Sequence, residues 1–217
     1  MLKRLYRVRG ELLWIDYAAV VRREAAAFNE KWPTFLEACR KQDEENLWTL
    51  MSTSKQAGYV TIVFAALTLE AMIYDFAASY LSDEYVSEHL DRLDPLSKWI
   101  VFSRLVSGHD FPKEHHSFEL LRATFRKRNE LVHAKSVGLH KEGGKYMSKK
   151  SAELMNDFYK EFPVHVSKAR RAIDEVPQKL FEITRDDLFI LHLPIVEQRQ
   201  IRAKLASAPG RKRFCLD

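Results

Sequence analysis

The stretch that decides the fold is YVTIVFAALTLEAMIYDFAASYL, residues 59–81. Its apolar side chains repeat at three- and four-residue steps, the spacing that places side chains on one face of an α-helix. This stripe consists of Val60, Val63, Phe64, Leu67, Ala71, Tyr74, Ala78 and Leu81. Glu70 lies on or beside the stripe, and a buried carboxylate requires a partner. The pattern therefore predicts a long core helix that carries one acidic side chain towards the protein interior.

Periodicity and capping signals on either side of this helix predict further helices. We expect them over residues 11–31, 34–51 with Thr34 as cap, 94–108 with Asp94 as cap, 113–135 and 148–175. The sequence FILHL, residues 189–193, is a candidate for one short strand. The predicted fold is all-α, an up-and-down bundle of four to five long helices. We expect a single domain with a helical N-terminal extension (1–53), a core (54–175) and a C-terminal appendage ending in a basic tail (176–217).

Composition narrows the class of protein. The chain has 217 residues and a net charge of +5, which permits nucleic-acid binding without requiring it. The uninterrupted apolar run Tyr59–Leu69 is shorter than the roughly 20 residues that cross a bilayer, and no secretory signal is recognisable. Cys39 and Cys215 are too few and too distant in sequence for a disulfide scaffold or zinc site. We therefore predict a cytoplasmic protein without a membrane association.

The helix over 113–135 contains an unusual residue. Phe118, Leu121 and Phe125 form its apolar edge, and Arg128 follows on that same edge within RKRNELVH, residues 126–133. An arginine in an apolar seam costs desolvation free energy unless a partner compensates it. Glu70 on the core helix is the candidate partner. Such a pair could be purely structural, or it could orient Arg128 for a site.

The segment RNELVH resembles the motif of the HEPN superfamily, whose active members carry an arginine, a polar residue and then a histidine near the end of a long helix. Here Arg128, Asn129 and His133 match, and the upstream helix FAALTLEAMIYDF is similar to the Glu-bearing helix of some HEPN branches. The resemblance covers about residues 54–175. It implies a metal-independent endoribonuclease without a cofactor, acting as a homodimer in which two motif helices meet.

The residue chemistry fits that activity. Histidine suits proton transfer near neutral pH, and the arginine fork matches a phosphate, so we expect His133 and Arg128 to be catalytic and Asn129 to support them. Arg128 and His133 are roughly 140° apart on an ideal helix. They can act on one ligand if the helix ends or distorts near His133, or if a second subunit contributes. The expected products are a 2′,3′-cyclic phosphate and a 5′-hydroxyl.

The surroundings of the motif are basic. Residues 122–150 contain nine Lys or Arg and two Glu. This is either a solvated surface or an RNA-binding patch, in which Arg126, Lys127 and Lys135 steer RNA to the site. By family resemblance, the setting is antiviral defence or a toxin–antitoxin pair. A tyrosine two residues after the histidine marks one antitoxin-regulated branch, and Lys135 stands there instead, so another antitoxin or protein partner remains open.

Other interpretations compete with this one. The chain could be a non-catalytic HEPN module that binds a nucleotide or a protein partner, or a plain helical scaffold with a Glu70–Arg128 ion pair. The segment HDFPKEHH, residues 109–116, is rich in metal-ligand residue types but lacks the helical spacing of a zinc ligand pair, so we expect no metal site. Tyr74, Phe76 and Tyr80 follow helical spacing, which favours core or dimer contacts over a base-stacking platform.

Overall fold

A computed structural model describes residues 13–42, 44–133 and 149–184, and these residues are almost entirely helical, with no β-strand among them. The helices are α1 (Leu13–Lys41), α2 (Glu44–Leu81), α3 (Asp83–Tyr85), α4 (Pro95–Ser107), α5 (His116–Val132) and α6 (Lys149–Thr184). A π-helical turn, Val86–Leu90, directly follows α3. The all-α prediction is confirmed, while the HEPN-like arrangement of the bundle stays a prediction. The candidate strand at 189–193 and the basic tail lie outside the described residues.

Helix α1 continues through residues 31–34, so the predicted break between two helices at this point is wrong. It runs through Pro33, which has no N–H to donate to the preceding turn. Trp32 and Phe35 flank the proline and are both buried against the rest of the protein. Thr34 does not cap a new helix, because its hydroxyl donates to the carbonyl of Glu30 at 3.3 Å. Aromatic burial on both sides of Pro33 therefore holds the helix together.

Helix α2 is the centre of the fold and is also longer than predicted. It continues without interruption through residues 51–54, so the proposed division at residue 53 does not coincide with a helix boundary. It packs against α1, α4, α5 and α6. The stretch Glu45–Leu81 is long and apolar enough to cross a membrane, and 56% of its most apolar window is buried inside the protein. A soluble core helix meets the same criterion, so the absence of a membrane association stays a prediction.

The faces of α2 differ from the predicted stripe. The fully buried face contains Ile62, Leu69, Ile73 and Phe76, whereas most of the predicted stripe is only half-buried. Both faces are apolar because α2 has neighbours on several sides, and periodicity then cannot identify the most buried face.

Helix α4 begins and ends where the sequence predicts. The Asp94 carboxylate accepts hydrogen bonds from the N–H groups of Leu96 and Ser97, both at 3.1 Å, and Pro95 occupies the first turn. Gly108 ends the helix with a φ of 78°, a conformation that glycine adopts at little cost. These local signals define the element on which Lys98 lies.

Helices α5 and α6 pack side by side and hold the motif against α2. The Ser117 hydroxyl donates to the Glu175 carbonyl at 3.2 Å, which joins the start of α5 to the later part of α6. Helix α5 starts three residues later than predicted, because His115 caps it by accepting from the Ser117 N–H. Helix α6 continues past the predicted end at 175 and through Pro177, since Leu180 is buried in the core.

Candidate active site

Arg128 follows the buried residues along one edge of α5. It lies at the margin of the apolar core, where it forms an ion pair. Phe118, Leu121 and Phe125 are buried, and the Arg128 side chain that continues this edge is 25% exposed. Its Nη2 lies 3.6 Å from Oε2 of Glu70, whose side chain is 32% exposed. The pairing considered from the sequence is therefore present, and it does not seal Arg128 from solvent.

Glu70 also faces a second cation, which is not among the site residues predicted from the sequence. Lys98 on α4 is almost fully buried, with a side chain 5% exposed, and its Nζ lies 3.7 Å from Oε1 of Glu70. The same ammonium donates a hydrogen bond to Oδ1 of Asp91 at 2.8 Å. Asp91, Lys98, Glu70 and Arg128 thus form a chain of alternating charges, here called the charge relay. Its two acidic and two basic groups balance, which compensates the burial of Lys98.

The side chain of Asn129 forms a hydrogen bond with Arg128. Its Oδ1 accepts a hydrogen bond from Nη1 of Arg128 at 2.9 Å, and the side chain is exposed. Arg128 is therefore fixed from two directions, by Glu70 from α2 and by its own neighbour. The amide group of Asn129 retains N–H donors that suit a phosphate oxygen.

His133 lies at the point where α5 ends. Its backbone N–H donates to the Asn129 carbonyl at 2.9 Å, but its φ of −112° and ψ of 40° depart from helical values. Its side chain is exposed, and its imidazole forms no hydrogen bond or ion pair with the residues that the structure describes. His133 and Arg128 can act on one ligand if the helix ends near His133, and α5 does end there.

Two of the basic residues proposed to steer RNA, Arg126 and Lys127, lie in the last two turns of α5. Glu130 pairs with Arg126 at 3.7 Å and with Lys127 at 3.0 Å. One carboxylate therefore offsets part of the local positive charge. Lys135 lies outside the described residues.

A cleft of about 250 Å³ opens beside the charge relay. Glu70, Asp91 and Lys98 supply its polar wall, and Tyr17, Leu67 and Tyr74 contribute aromatic and apolar surface. Tyr74 therefore borders a cleft, whereas Phe76 is a core residue as the sequence favours. The cleft adjoins Arg128 because Glu70 belongs to both.

His165 on α6 is another group that sequence reasoning missed. Burial lowers the pKa of His165, the positive charges of Lys127 and Lys168 lower it further, and Glu161 and Glu130 oppose the shift. Its Nε2 lies 3.9 Å from Oε2 of Glu161. His165 thus lies near the part of α5 that carries Lys127 and Glu130.

The residues of HDFPKEHH have separate partners. Asp110 binds Arg104, His115 caps α5, and His116 lies 2.9 Å from Arg171. Within residues 13–42, 44–133 and 149–184, no group of three or more His, Cys, Asp or Glu side chains could hold a metal ion.

Two sequence signals pointed to the missed residues. Lys98 precedes Phe102 and Val106 at four-residue steps, so it stands in the buried stripe of α4. His165 similarly follows Phe162 and precedes Ala169 on the buried side of α6. Asp91 lies just after the π-helical turn, where periodicity gives no information.

The assembled groups can bind an anion and transfer a proton. A fixed guanidinium and amide suit a phosphate, and an exposed imidazole is available for acid–base chemistry. Neither requires a metal ligand set. Comparisons of the chain with protein-family models, curated proteins and solved structures found no match.

Proposed function

We propose that the protein is a metal-independent endoribonuclease of HEPN type. The observation that supports it is the arrangement at the end of α5, where an ion-paired but accessible arginine, its hydrogen-bonded asparagine and an exposed histidine lie within six residues. The resemblance of RNELVH to the HEPN motif supplies the reaction class. RNA is the proposed substrate, and the surrounding lysines and arginines suit its phosphates.

The proposed reaction needs three functions, and two copies of the chain together have a group for each. An imidazole removes the proton from the 2′-hydroxyl, which attacks the phosphorus and forms the cyclic phosphate. A second, protonated imidazole donates its proton to the departing 5′-oxygen. Arg128 stabilises the negative charge that develops on the phosphorus oxygens, and Asn129 holds Arg128 in place.

A second subunit would provide the second imidazole. His133 at the end of α5 is exposed, so its imidazole is accessible to another copy of the chain. We therefore propose a homodimer with a composite site. Its proposed setting is the cytoplasm, in antiviral defence or beside an antitoxin.

Cleavage of a labelled structured RNA in excess EDTA tests the function. The parent should produce 2′,3′-cyclic phosphate and 5′-hydroxyl ends. Arg128→Ala and His133→Ala should each lose at least about 100-fold in rate, because they remove charge stabilisation and proton transfer respectively.

Matched substitutions of the same residue types control for nonspecific effects. Arg92→Ala and His109→Ala alter exposed side chains outside the motif and should cut at the parental rate. All variants should show unchanged helical content and oligomeric state. Equal cleavage by the parent and both motif variants would reject the motif as the active site, and no cleavage by the parent would reject the nuclease function.

A non-catalytic HEPN module that binds a nucleotide or a protein is the second candidate function. The Glu70–Arg128 ion pair favours it, because this contact orients the guanidinium for recognition of an anionic ligand, which needs no proton transfer by His133. In that case the parent cuts no RNA, and Arg128→Ala weakens binding of the ligand.

A further inference from the structure

We propose that the cleft beside the charge relay binds a guanine base. The base is that of an RNA nucleotide whose phosphate lies on Arg128, and this placement rests on the proposed function. Recognition of the base itself depends on the cleft alone.

The size and surface of the cleft suit one nucleobase. Its volume of about 250 Å³ lies just below the range of about 300–1,000 Å³ for pockets that hold drug-sized ligands. Tyr17, Tyr74 and Leu67 are among the residues that line it. Proteins that recognise single-stranded RNA stack unpaired bases on aromatic side chains, so the two tyrosines provide a suitable surface.

The polar wall of the cleft has unused hydrogen-bonding capacity. Glu70 lies 3.6 Å from Arg128 and 3.7 Å from Lys98, distances too long for hydrogen bonds, so its oxygens can still accept from a ligand. Asp91 uses Oδ1 for Lys98, and the carboxylate has further acceptor positions. Lys98 uses one of its three donors on Asp91.

This combination distinguishes guanine from the other bases. Guanine presents the N1–H and N2–H donors side by side with the O6 acceptor next to them, which complements a carboxylate beside an ammonium. Adenine places an unprotonated ring nitrogen where the carboxylate requires a donor, and cytosine does the same. Uracil has one N–H between two carbonyl oxygens, and a carboxylate repels these oxygens. A matched bidentate pair discriminates between bases by roughly fivefold to 150-fold.

The position of the cleft connects base recognition with the motif. Glu70 lines the cleft through α2 and pairs with Arg128 of α5. A nucleotide that stacks in the cleft would therefore have its phosphate near Arg128. Tyr17 gives α1 a part in this site, although α1 lies within the predicted N-terminal extension, residues 1–53.

Binding of nucleoside monophosphates to the full chain tests the cleft without cleavage. By titration calorimetry, guanosine 5′-monophosphate should bind about tenfold or more tightly than the adenosine, cytidine and uridine monophosphates. Asp91→Asn keeps an oxygen acceptor for Lys98 but removes the carboxylate, and should abolish this preference. Glu88→Gln, a neutralisation at an exposed position on the preceding π-helical turn, should bind like the parent.

Substitutions at Tyr17 separate stacking from general damage. Tyr17→Leu should weaken guanosine 5′-monophosphate binding roughly fivefold or more, whereas Tyr17→Phe retains the ring and should bind like the parent. Equal affinity for the guanosine and adenosine nucleotides, or an unchanged preference in Asp91→Asn, overturns the guanine site.

Mapping of RNA cleavage sites distinguishes this inference from the proposed function. Cleavage next to guanosines, reduced when inosine replaces guanosine and the N2 amine is lost, is the expected result. Cleavage without any guanosine preference overturns the guanine site and retains the nuclease. Selective guanosine 5′-monophosphate binding by a protein that cuts no RNA retains the guanine site and rejects the nuclease.

Discussion

Lys98 has the most demanding environment of any residue near the site. Its side chain is nearly buried and contributes to the lining of the cleft, while its partners Glu70 and Asp91 are each partly in contact with water. Removing a partner leaves a buried charge undercompensated, whereas removing the buried charge itself leaves carboxylates that water can solvate. The two ends of this contact are therefore unequal in their effect on stability.

Asp91→Ala should destabilise the protein more than Lys98→Met. We expect Asp91→Ala to lower the free energy of unfolding by about 1–3 kcal/mol, because Lys98 loses its hydrogen bond and keeps Glu70 only at a longer distance. Lys98→Met should be neutral to within about 1 kcal/mol, since an apolar chain of similar volume fills the same space. Urea unfolding followed by circular dichroism measures both values. The reverse order would show that the charge relay does not set the stability of this region.

His165 makes stability depend on pH. Burial and the nearby charge of Lys127 hold the pKa of its folded-state imidazole below the usual value near 6.5. The unfolded chain therefore takes up a proton at a higher pH than the folded protein. Stability from this residue is complete above about pH 6.5 and falls as the pH drops below it, with a slope of at most about 1.4 kcal/mol per pH unit.

His165→Gln should flatten this dependence, because the substituted side chain has no proton to gain. The free energy of unfolding, measured by urea titration at about pH 7.5 and about pH 5.5, should change less in this variant than in the parent. His109→Gln, an exposed replacement, should leave the difference unaltered. An identical pH dependence in the parent and His165→Gln would exclude His165 as its source.

The contact between α2 and α6 requires a glycine. A Cβ added at Gly58 would lie 2.5 Å from Cζ of Phe162 and 3.1 Å from Cγ2 of Val166. The Phe162 ring cannot easily move, because it packs against Phe28 and Phe158. Close approach of the two helices therefore depends on the missing side chain.

Gly58→Ala should destabilise the fold even though alanine favours helices. The better helix propensity contributes about 1 kcal/mol, while overpacking costs about 1–3 kcal/mol, so we expect a net loss of up to about 2 kcal/mol in urea unfolding. Gly58→Ala combined with Phe162→Leu should lose less stability than the sum of the single variants, because the smaller side chain relieves the clash. Strict additivity would place the strain elsewhere.

The ends of a helix can be predicted from the sequence when they depend on neighbouring residues, and not when they depend on packing against distant parts of the chain. The ends of α4 depend on Asp94, Pro95 and Gly108, which act within a turn, and the sequence predicts them correctly. Pro33 and Pro177 are equally strong local signals, but distant packing overrides them and both helices continue. The ion pair between Arg128 and Glu70 could be predicted from the sequence, because each charged residue interrupts an apolar pattern. The part that Asp91 takes in the charge relay could not be predicted from the sequence, since it depends on where the π-helical turn places this residue.

At the scale of the whole molecule, distant segments of the chain meet at one site. Tyr17 comes from α1, Glu70 from α2, Lys98 from α4 and Arg128 from α5. The central position of α2 allows this, because α2 contacts each of the other three helices. The described chain brings Arg128 into this group but leaves His133 exposed at the helix end, which is the arrangement expected if another subunit completes the site.

Mixed dimers test that completion. In a two-fold dimer whose motifs meet, a subunit with Arg128→Ala and a subunit with His133→Ala together retain one arginine and one histidine at the shared cleft. Co-expression of the two variants with different tags, followed by purification through both tags, should therefore yield a protein that cuts RNA well above either variant alone. Arg128→Ala paired with itself through the same two tags is the control and should stay inactive. If the mixed dimer is inactive at the expected mass, a dimer of one parent subunit and one His133→Ala subunit gives the reason. Cleavage by that dimer would mean that Arg128 and His133 must act within one chain, whereas its inactivity would mean that the shared cleft needs both imidazoles.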